Sequence, residues 1–251
     1  NQQAQTQQGH NQPLLASMDN GDQGHATTVD HQVMPNMAMT LRVVVPPHPL
    51  IGHWLSVLRD RQTPSAIYAS ATAELGRWLT YEALRDWLPH RPIAIESPLA
   101  PTQGEIVDPA IPLVAVPLLR SGLGLWQGAQ SVLPSAQISH LGHGIHGLPE
   151  VMDARCGVLV FAAEIATGQG LIQALEQLQA RGVEGDRLRV VTALASSGGL
   201  KAVGERFSNL TLYSACIDPD LDSHGRIVPG IGHVSARLFG SIGADSHPPT
   251  P

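Results

Sequence analysis

The chain has 251 residues, a formal net charge of −6 and 43% hydrophobic residues. That balance excludes a general basic field for nucleic acid or an anionic membrane surface, so any anion site has to be local. No apolar run reaches the ~18–20 residues of a bilayer span, and the length suits one globular domain with a tail.

Residues 1–38 are rich in Gln, Asn, His, Asp and Gly and contain neither Lys nor Arg. Such a segment buries too little apolar surface to offset the entropy of ordering it, which predicts a disordered tail. Met34, Met37 and Met39 stand just before the first periodic residues. The segment is therefore read either as a genuine tail or as an expression or gene-start artefact. The globular domain is expected over 39–241, followed by a frayed tail over 242–251. The start carries no charged-then-apolar leader, so a cytoplasmic location is expected, with Cys156 and Cys216 as reduced, buried thiols.

Val43–Val45 before two prolines reads as a short edge strand. A helix is predicted over 50–59. A longer one follows over 65–88, with Ile67, Leu75, Trp78, Leu79 and Leu84 on its apolar side and Pro89 stopping it. Trp78 and Trp87 are assigned to the core rather than to a subunit contact. Ile93–Ile95 and Gly104–Val107 form a predicted hairpin. Thereafter strands over 113–119, 137–141, 157–163, 188–194 and 210–217 alternate with helices over 122–132 and 169–181 and one starting after Ser196-Ser197. This alternation argues for an α/β fold with a parallel sheet covered on both faces, whose ligands bind beyond the carboxyl ends of the strands.

At that edge lie three candidate loops: Arg120–Gly124, Ala166–Gly168 and Ser196–Gly199. A strand turning into a helix through Thr167-Gly168 offers backbone N–H groups and a hydroxyl to an anion. Arg120 follows a strand directly and has the forked geometry that suits phosphate oxygens. Asp218, Asp220 and Asp222 alternate as in a calcium loop, but the glycine and glutamate of an EF-hand are out of register. Ile227–Gly232 is a stiff, glycine-punctuated loop whose main-chain groups are suited to the edge of a flat heterocycle.

With these motifs in view, the sequence resembles uracil phosphoribosyltransferases over about residues 41–240. The matching residues run through His48–Leu50, Leu58–Asp60, Leu79–Ala83, Pro117–Gly124, Ala166–Gly168, Leu212–Ala215, Ile217-Asp218, Leu221, His224-Gly225 and Val228–Gly232. The resemblance implies a phosphoribosyltransferase core with helices on both faces and a small β-hairpin or hood subdomain. It implies that Arg120 contacts the pyrophosphate of phosphoribosyl pyrophosphate. Ala166, Thr167 and Gly168, continued by Gln169 and Gly170, would cradle the 5-phosphate. Tyr213, Gly230, Ile231 and Gly232 would lie at uracil. The implied reaction is uracil plus phosphoribosyl pyrophosphate to UMP and pyrophosphate, with magnesium, in a homo-oligomer acting in pyrimidine salvage. Neither nucleic acid nor a membrane is an expected partner.

Four departures stand against that pattern. Ala162 occupies the position of an aspartate that meets the ribose hydroxyls, and Gln169-Gly170 replace Gly-Ser. Were the strand still extended, Glu164 would project to the same side as Ala162 and substitute for the lost carboxylate. The hairpin after the second core strand is shortened to residues 140–147 and lacks its arginine. His233 and Ala236 replace two aspartates after the uracil loop, and Ile67-Tyr68-Ala69 replaces Phe-Arg-Glu. His143, His146 and His233 allow a transition-metal reading, less favoured than ordinary loop histidines. Two further functions stay open: a catalytically degenerate paralogue that keeps a nucleotide or phosphate pocket, and a transferase for another base or donor.

Overall fold

The computed structural model describes residues 40–133, 135–142 and 145–240, without the side chains of Ile145 and His146. The two expected tails and His143 lie outside the described residues. In chain order the elements are β1 (Arg42–Val44), α1 (Pro49–Arg59), α2 (Ser65–Leu84), β2 (His90–Glu96), β3 (Pro101–Val107), β4 (Leu113–Pro117) and α3 (Gly122–Ala129). Next come β5 (Gln137–Ile138), β6 (Leu141–Gly142), β7 (Ile145–His146), β8 (Gly157–Ile165), α4 (Gln169–Gln179), β9 (Leu188–Ser196) and α5 (Ser197–Arg206). The chain continues through β10 (Thr211–Ser214), β11 (Ile217–Asp218), β12 (Asp220–Leu221), β13 (Ile227–Val228) and α6 (Val234–Phe239).

The main sheet runs β1-β10-β9-β8-β4-β5, with β11 added to the far end of β9, and every pairing in it is parallel. Each strand needs a covered crossover, so both faces are buried and the strands read as continuous apolar runs. Leu159 and Phe161 point into a core shared with α1, α2 and α3, whereas Val158 and Val160 face α4 and α5. Fully burying side chains of this size stabilises the fold by about 1.5–3 kcal/mol each.

From β4 the chain first adds β5 on one side, then returns to place β8 on the other. This reversal opens a crevice between the carboxyl ends of β4 and β8, the place where open α/β sheets bind ligands. The predicted hairpin is present as β2–β3, a separate two-stranded sheet.

Several predicted bounds shift for local reasons. α2 ends at Leu84, and Arg85 N–H and Trp87 N–H bond three residues back, because Pro89 disfavours helical geometry at Leu88. Ile67 is 51% exposed, while Tyr68, Leu75 and Leu79 hold the buried stripe. Trp78 is half-buried and stacks on His48 with ring centroids 5.5 Å apart. Trp87, also half-buried, donates from Nε1 to Asp186 O at 2.6 Å. The strand expected over 137–141 stops at Ile138; Leu141 keeps one parallel bridge to Leu118 and pairs with His146 in the β6–β7 hairpin. Of the two free thiols Cys156 is buried, but Cys216 is half-buried beside Arg59.

Candidate active site

The β4–α3 turn is suspended over the crevice by backbone bonds on both sides. Leu118 N–H donates to Phe161 O at 2.9 Å, and Leu119 N–H donates to Leu141 O at 2.6 Å. The shortened 140–147 hairpin therefore braces the turn carrying Arg120. Arg120 is exposed, and its guanidinium lies 5.8 Å from the ring centroid of Phe239 in α6. Among the described residues it makes no hydrogen bond or ion pair, so its forked edge is free for a ligand.

Opposite stands the β8–α4 turn. Gly168 adopts φ +82°, a left-handed conformation that glycine takes without steric cost. It lets α4 begin at once, and the N–H groups of Gln169, Gly170 and Leu171 at its first turn have no intrahelical acceptor. Thr167 Oγ1 is 3.5 Å from Gln169 N, and Thr167, Gln169 and Gly170 are exposed. The turn rests on the start of α5. Ser196, fully buried, donates from Oγ to Ala166 O at 2.5 Å and accepts from Gly199 N–H at 2.8 Å. The Ser196–Gly199 loop thus acts on the phosphate-type turn from beneath, with Ser196 doubling as the N-cap of α5. Leu118, Leu119, Ser121, Ala162, Glu164 and Thr167 are among the residues lining the resulting cleft of about 260 Å³.

The third component is the loop after β13. Arg59 at the end of α1 forks onto Asp218, with Nη1–Oδ2 at 2.9 Å and Nη2–Oδ1 at 2.7 Å. The same Nη1 donates to Gly230 O at 3.0 Å, and Gly230 N–H donates to Asp218 Oδ2 at 3.0 Å. Hydrogen bonding from Arg59, against the cost of burial, holds the Asp218 carboxyl below the ordinary aspartate range. From α6, Arg237 Nη1 donates to Ile231 O at 3.0 Å and to Leu58 O at 2.5 Å, and Nη2 donates to Asp60 O at 2.7 Å. Its guanidinium stacks 4.0 Å from the Tyr68 ring centroid, and Tyr68 Oη donates to Ile231 O at 3.3 Å. Both polar groups of Gly230 and the Ile231 carbonyl are thereby occupied. The N–H groups of Ile231 and Gly232 and the Gly232 carbonyl have no internal partner among the described residues.

This geometry meets the comparisons with known proteins. The family model described as uracil phosphoribosyltransferase matches residues 45–241. The chain is 46% identical over 216 residues to a uracil phosphoribosyltransferase of Synechococcus elongatus, covering 82% of this chain and all of that protein. A uracil phosphoribosyltransferase of Nostoc sp. is 43% identical over the same shares. The chain belongs to the uracil phosphoribosyltransferase family. Among solved structures, that of the AQ2163 protein from Aquifex aeolicus aligns with TM-score 0.68 and 28% identity, covering 79% of this chain and 98% of that one.

Within the uracil phosphoribosyltransferase family frame, the structure brings Arg120, Ala166, Thr167, Gly168, Gln169 and Gly170 to one edge of the sheet, and sets the Gly230–Gly232 loop in the region beyond Tyr68. Tyr213 is not among them. It lies within β10, 4% exposed, paired with Val191 and Val44, and its phenol senses Asp86, Arg189 and Arg42 near the amino-terminal end of the sheet. Position 213 precedes the strand end, so its ring packs into the core instead of facing a ligand.

Glu164 also departs from expectation. Ala162 and Ile165 both pack toward α4 and α5, so the side-to-side alternation slips by one between them. Glu164 is paired with Leu194, which packs toward α1–α3, and its charge reaches Tyr68 of α2. It therefore projects away from the side of Ala162 and does not replace the lost aspartate. The slip leaves no trace in an apolar run buried on both faces.

The calcium-loop reading fails on the same kind of ground; of the histidines in the transition-metal reading only the side chain of His233 is described. Asp218 is committed to Arg59, and Asp222 accepts from Arg226 Nε at 2.7 Å and from His224 N–H at 2.9 Å. His233 caps α6, its Nδ1 accepting from Ala236 N–H at 3.1 Å. Among the described residues no cluster of three His, Cys, Asp or Glu is placed to hold a metal ion. Sequence reasoning missed Arg237 as a site residue. Its lone signal was an arginine following the glycine loop, which by itself reads as a surface charge.

Proposed function

We propose that this protein joins uracil to the ribose of phosphoribosyl pyrophosphate, giving UMP and pyrophosphate. One observation carries the reading. Donor-rich main chain at the start of α4 shares the carboxyl edge of the sheet with a clamped loop that keeps two N–H groups and one C=O unspent. Uracil presents acceptor, donor and acceptor along its C2–N3–C4 edge, which two N–H groups and one carbonyl complement. The 5-phosphate would sit on the N–H groups of 169–171 and the Thr167 hydroxyl, and Arg120 would fork onto the departing pyrophosphate.

In the reaction the bond from the ribose carbon to pyrophosphate oxygen breaks and the bond to the base nitrogen forms, that nitrogen giving up its proton, which ends on the released pyrophosphate. The chain contributes chiefly position and charge stabilisation of the leaving group. The cleft supplies no carboxylate pair for a resident magnesium, because Glu164 is the one carboxylate among the described residues that line it. Magnesium is therefore assigned to the substrate, as the counter-ion of the pyrophosphate. A homo-oligomer, a cytoplasmic location and a role in pyrimidine salvage belong to the same proposal. No helix among the described residues is long and apolar enough to cross a membrane.

Radiolabelled uracil incubated with phosphoribosyl pyrophosphate and magnesium should yield UMP. Arg120→Ala is expected to lower kcat/KM by about 10- to 100-fold, the equivalent of a lost charge-assisted hydrogen bond. Ala162 and Ala163 favour a second reading, ligand binding without turnover. Calorimetric binding of both substrates with no UMP formed would establish that reading in place of the first. Position 170 offers a gain-of-binding test, since a Cβ added there meets nothing within 4 Å. Gly170→Ser should leave the unfolding temperature unchanged and tighten phosphoribosyl pyrophosphate binding about fivefold, the worth of one added hydrogen bond. A weaker complex would contradict the assigned phosphate cradle.

A further inference from the structure

Glu164 is an ionisable side chain that the proposed mechanism leaves without a task. It is half-buried, lines the crevice beside the phosphate turn, and has no hydrogen-bond or ion-pair partner among the described residues. Its strand neighbour Leu194 belongs to the core that also holds Tyr68, Ile231 and Val234. Its charge reaches Tyr68, whose hydroxyl donates to Ile231 O at 3.3 Å, so the carboxyl stands beside the phosphate turn on the side of the loop assigned to the base.

We propose that Glu164 is a base-contact residue, its carboxylate accepting a hydrogen bond from a ring N–H of the nucleobase, and that it does not touch the ribose hydroxyls. The inference rests on the uracil phosphoribosyltransferase reading above and adds to it a side chain that selects the base. An unpaired carboxylate in a site emptied of water by substrate needs a donor. The Gly232 carbonyl matches the N–H between the two uracil carbonyls, which leaves for Glu164 the N–H of the nitrogen that bonds to ribose, whose proton is given up as that bond forms.

The surroundings sharpen the proposal. Tyr68 on α2 is the titratable group that senses Glu164, and Arg237 of α6 lies against the Tyr68 ring. Leu194 on β9 and the Ala166–Gly168 turn bring no charge. Burial alone pushes the Glu164 carboxyl up to about 7. Base affinity should therefore change across neutral pH, tightening as Glu164 ionises. The linked effect on folding has the opposite sense: a raised carboxyl is protonated in the native state where the unfolded chain has lost its proton. Stability should fall as pH rises from about 4.5 to about 7, the window between the ordinary and the folded values.

The experiment is calorimetric titration of the full chain and of Glu164→Gln with uracil and, separately, with phosphoribosyl pyrophosphate, at pH 6 and pH 8. The expected result is a tenfold or larger loss of uracil affinity in the variant at pH 8, a flattened pH dependence, and unchanged phosphoribosyl pyrophosphate affinity. Loss confined to phosphoribosyl pyrophosphate would overturn the proposal in favour of a ribose contact. Equal behaviour of both proteins toward both ligands would overturn it as well, leaving the enzyme reading intact. Failure of the unaltered chain to bind either ligand would instead strike the enzyme reading itself. Thermal unfolding of both proteins at the same pH values reports whether the variant folds, and only the unaltered chain should lose stability with rising pH.

Discussion

Asp218→Ala is expected to lower stability by about 3 kcal/mol, the cost of breaking a buried ion pair by removing one partner. For a domain of this size that corresponds to a fall of roughly 6–12 °C in unfolding temperature. The size of the effect follows from what the carboxylate joins. Its side chain is 5% exposed and that of Arg59 26%, so the guanidinium would stay half-buried with no counter-charge. Gly230 N–H would also lose its acceptor, and the loop that offers Ile231 and Gly232 would lose its brace on β11. Uracil binding should therefore weaken along with stability. The pair also sets an acid limit. Because Arg59 holds the Asp218 carboxyl below 3.8, its contribution is present above that pH and is lost as pH falls below it. Differential scanning calorimetry of both proteins at pH 7 is decisive: a shift under about 2 °C would mean that the bridge holds nothing.

The second large effect lies beneath the phosphate turn. A Cβ at Gly199 would stand 2.3 Å from Ala166 O and 2.8 Å from Ile165 O, both backbone atoms that cannot turn aside. Gly199→Ala must push the Ala166–Gly168 turn off α5, at a cost of about 1–3 kcal/mol for overpacking. The same displacement moves the N–H groups at the start of α4, so phosphoribosyl pyrophosphate affinity should drop tenfold or more. Gly198→Ala is the matched control, since the nearest atom to its added Cβ is Ser196 Oγ at 4.0 Å. Equal affinities for the two variants would remove the support role assigned to Gly199.

Much of the architecture was legible in advance. The helix starts at Gln169 and next to Ser196-Ser197, a hairpin joining 93–95 to 104–107 and the parallel alternation all rest on local signals: apolar spacing, prolines, glycines and caps. Thr167-Gly168 and Arg120 were legible because their chemistry is local too, a turn and a charge placed after a strand. Tyr213 misled because an aromatic residue near a strand end looks the same from either direction, and only the pairing of β10 with β9 decides which end of the sheet it faces. The role of Asp218 was not legible because its partner Arg59 lies 159 residues away in sequence, whereas Arg226 is only four residues from Asp222.

By itself the sequence determined the order of elements, the family and the anion-ready turn at 166–170, since each follows from spacing within a few residues or from similarity along the whole chain. Tertiary structure alone decided that Arg237 reaches across from α6 to clamp Ile231, that Asp218 pairs with a helix 159 residues away in sequence, and that Glu164 faces α2. The physical reason is the same in each case. In a parallel sheet buried on both faces the period-two pattern is silent, so side-chain direction is set by register with neighbouring strands and by packing against distant helices.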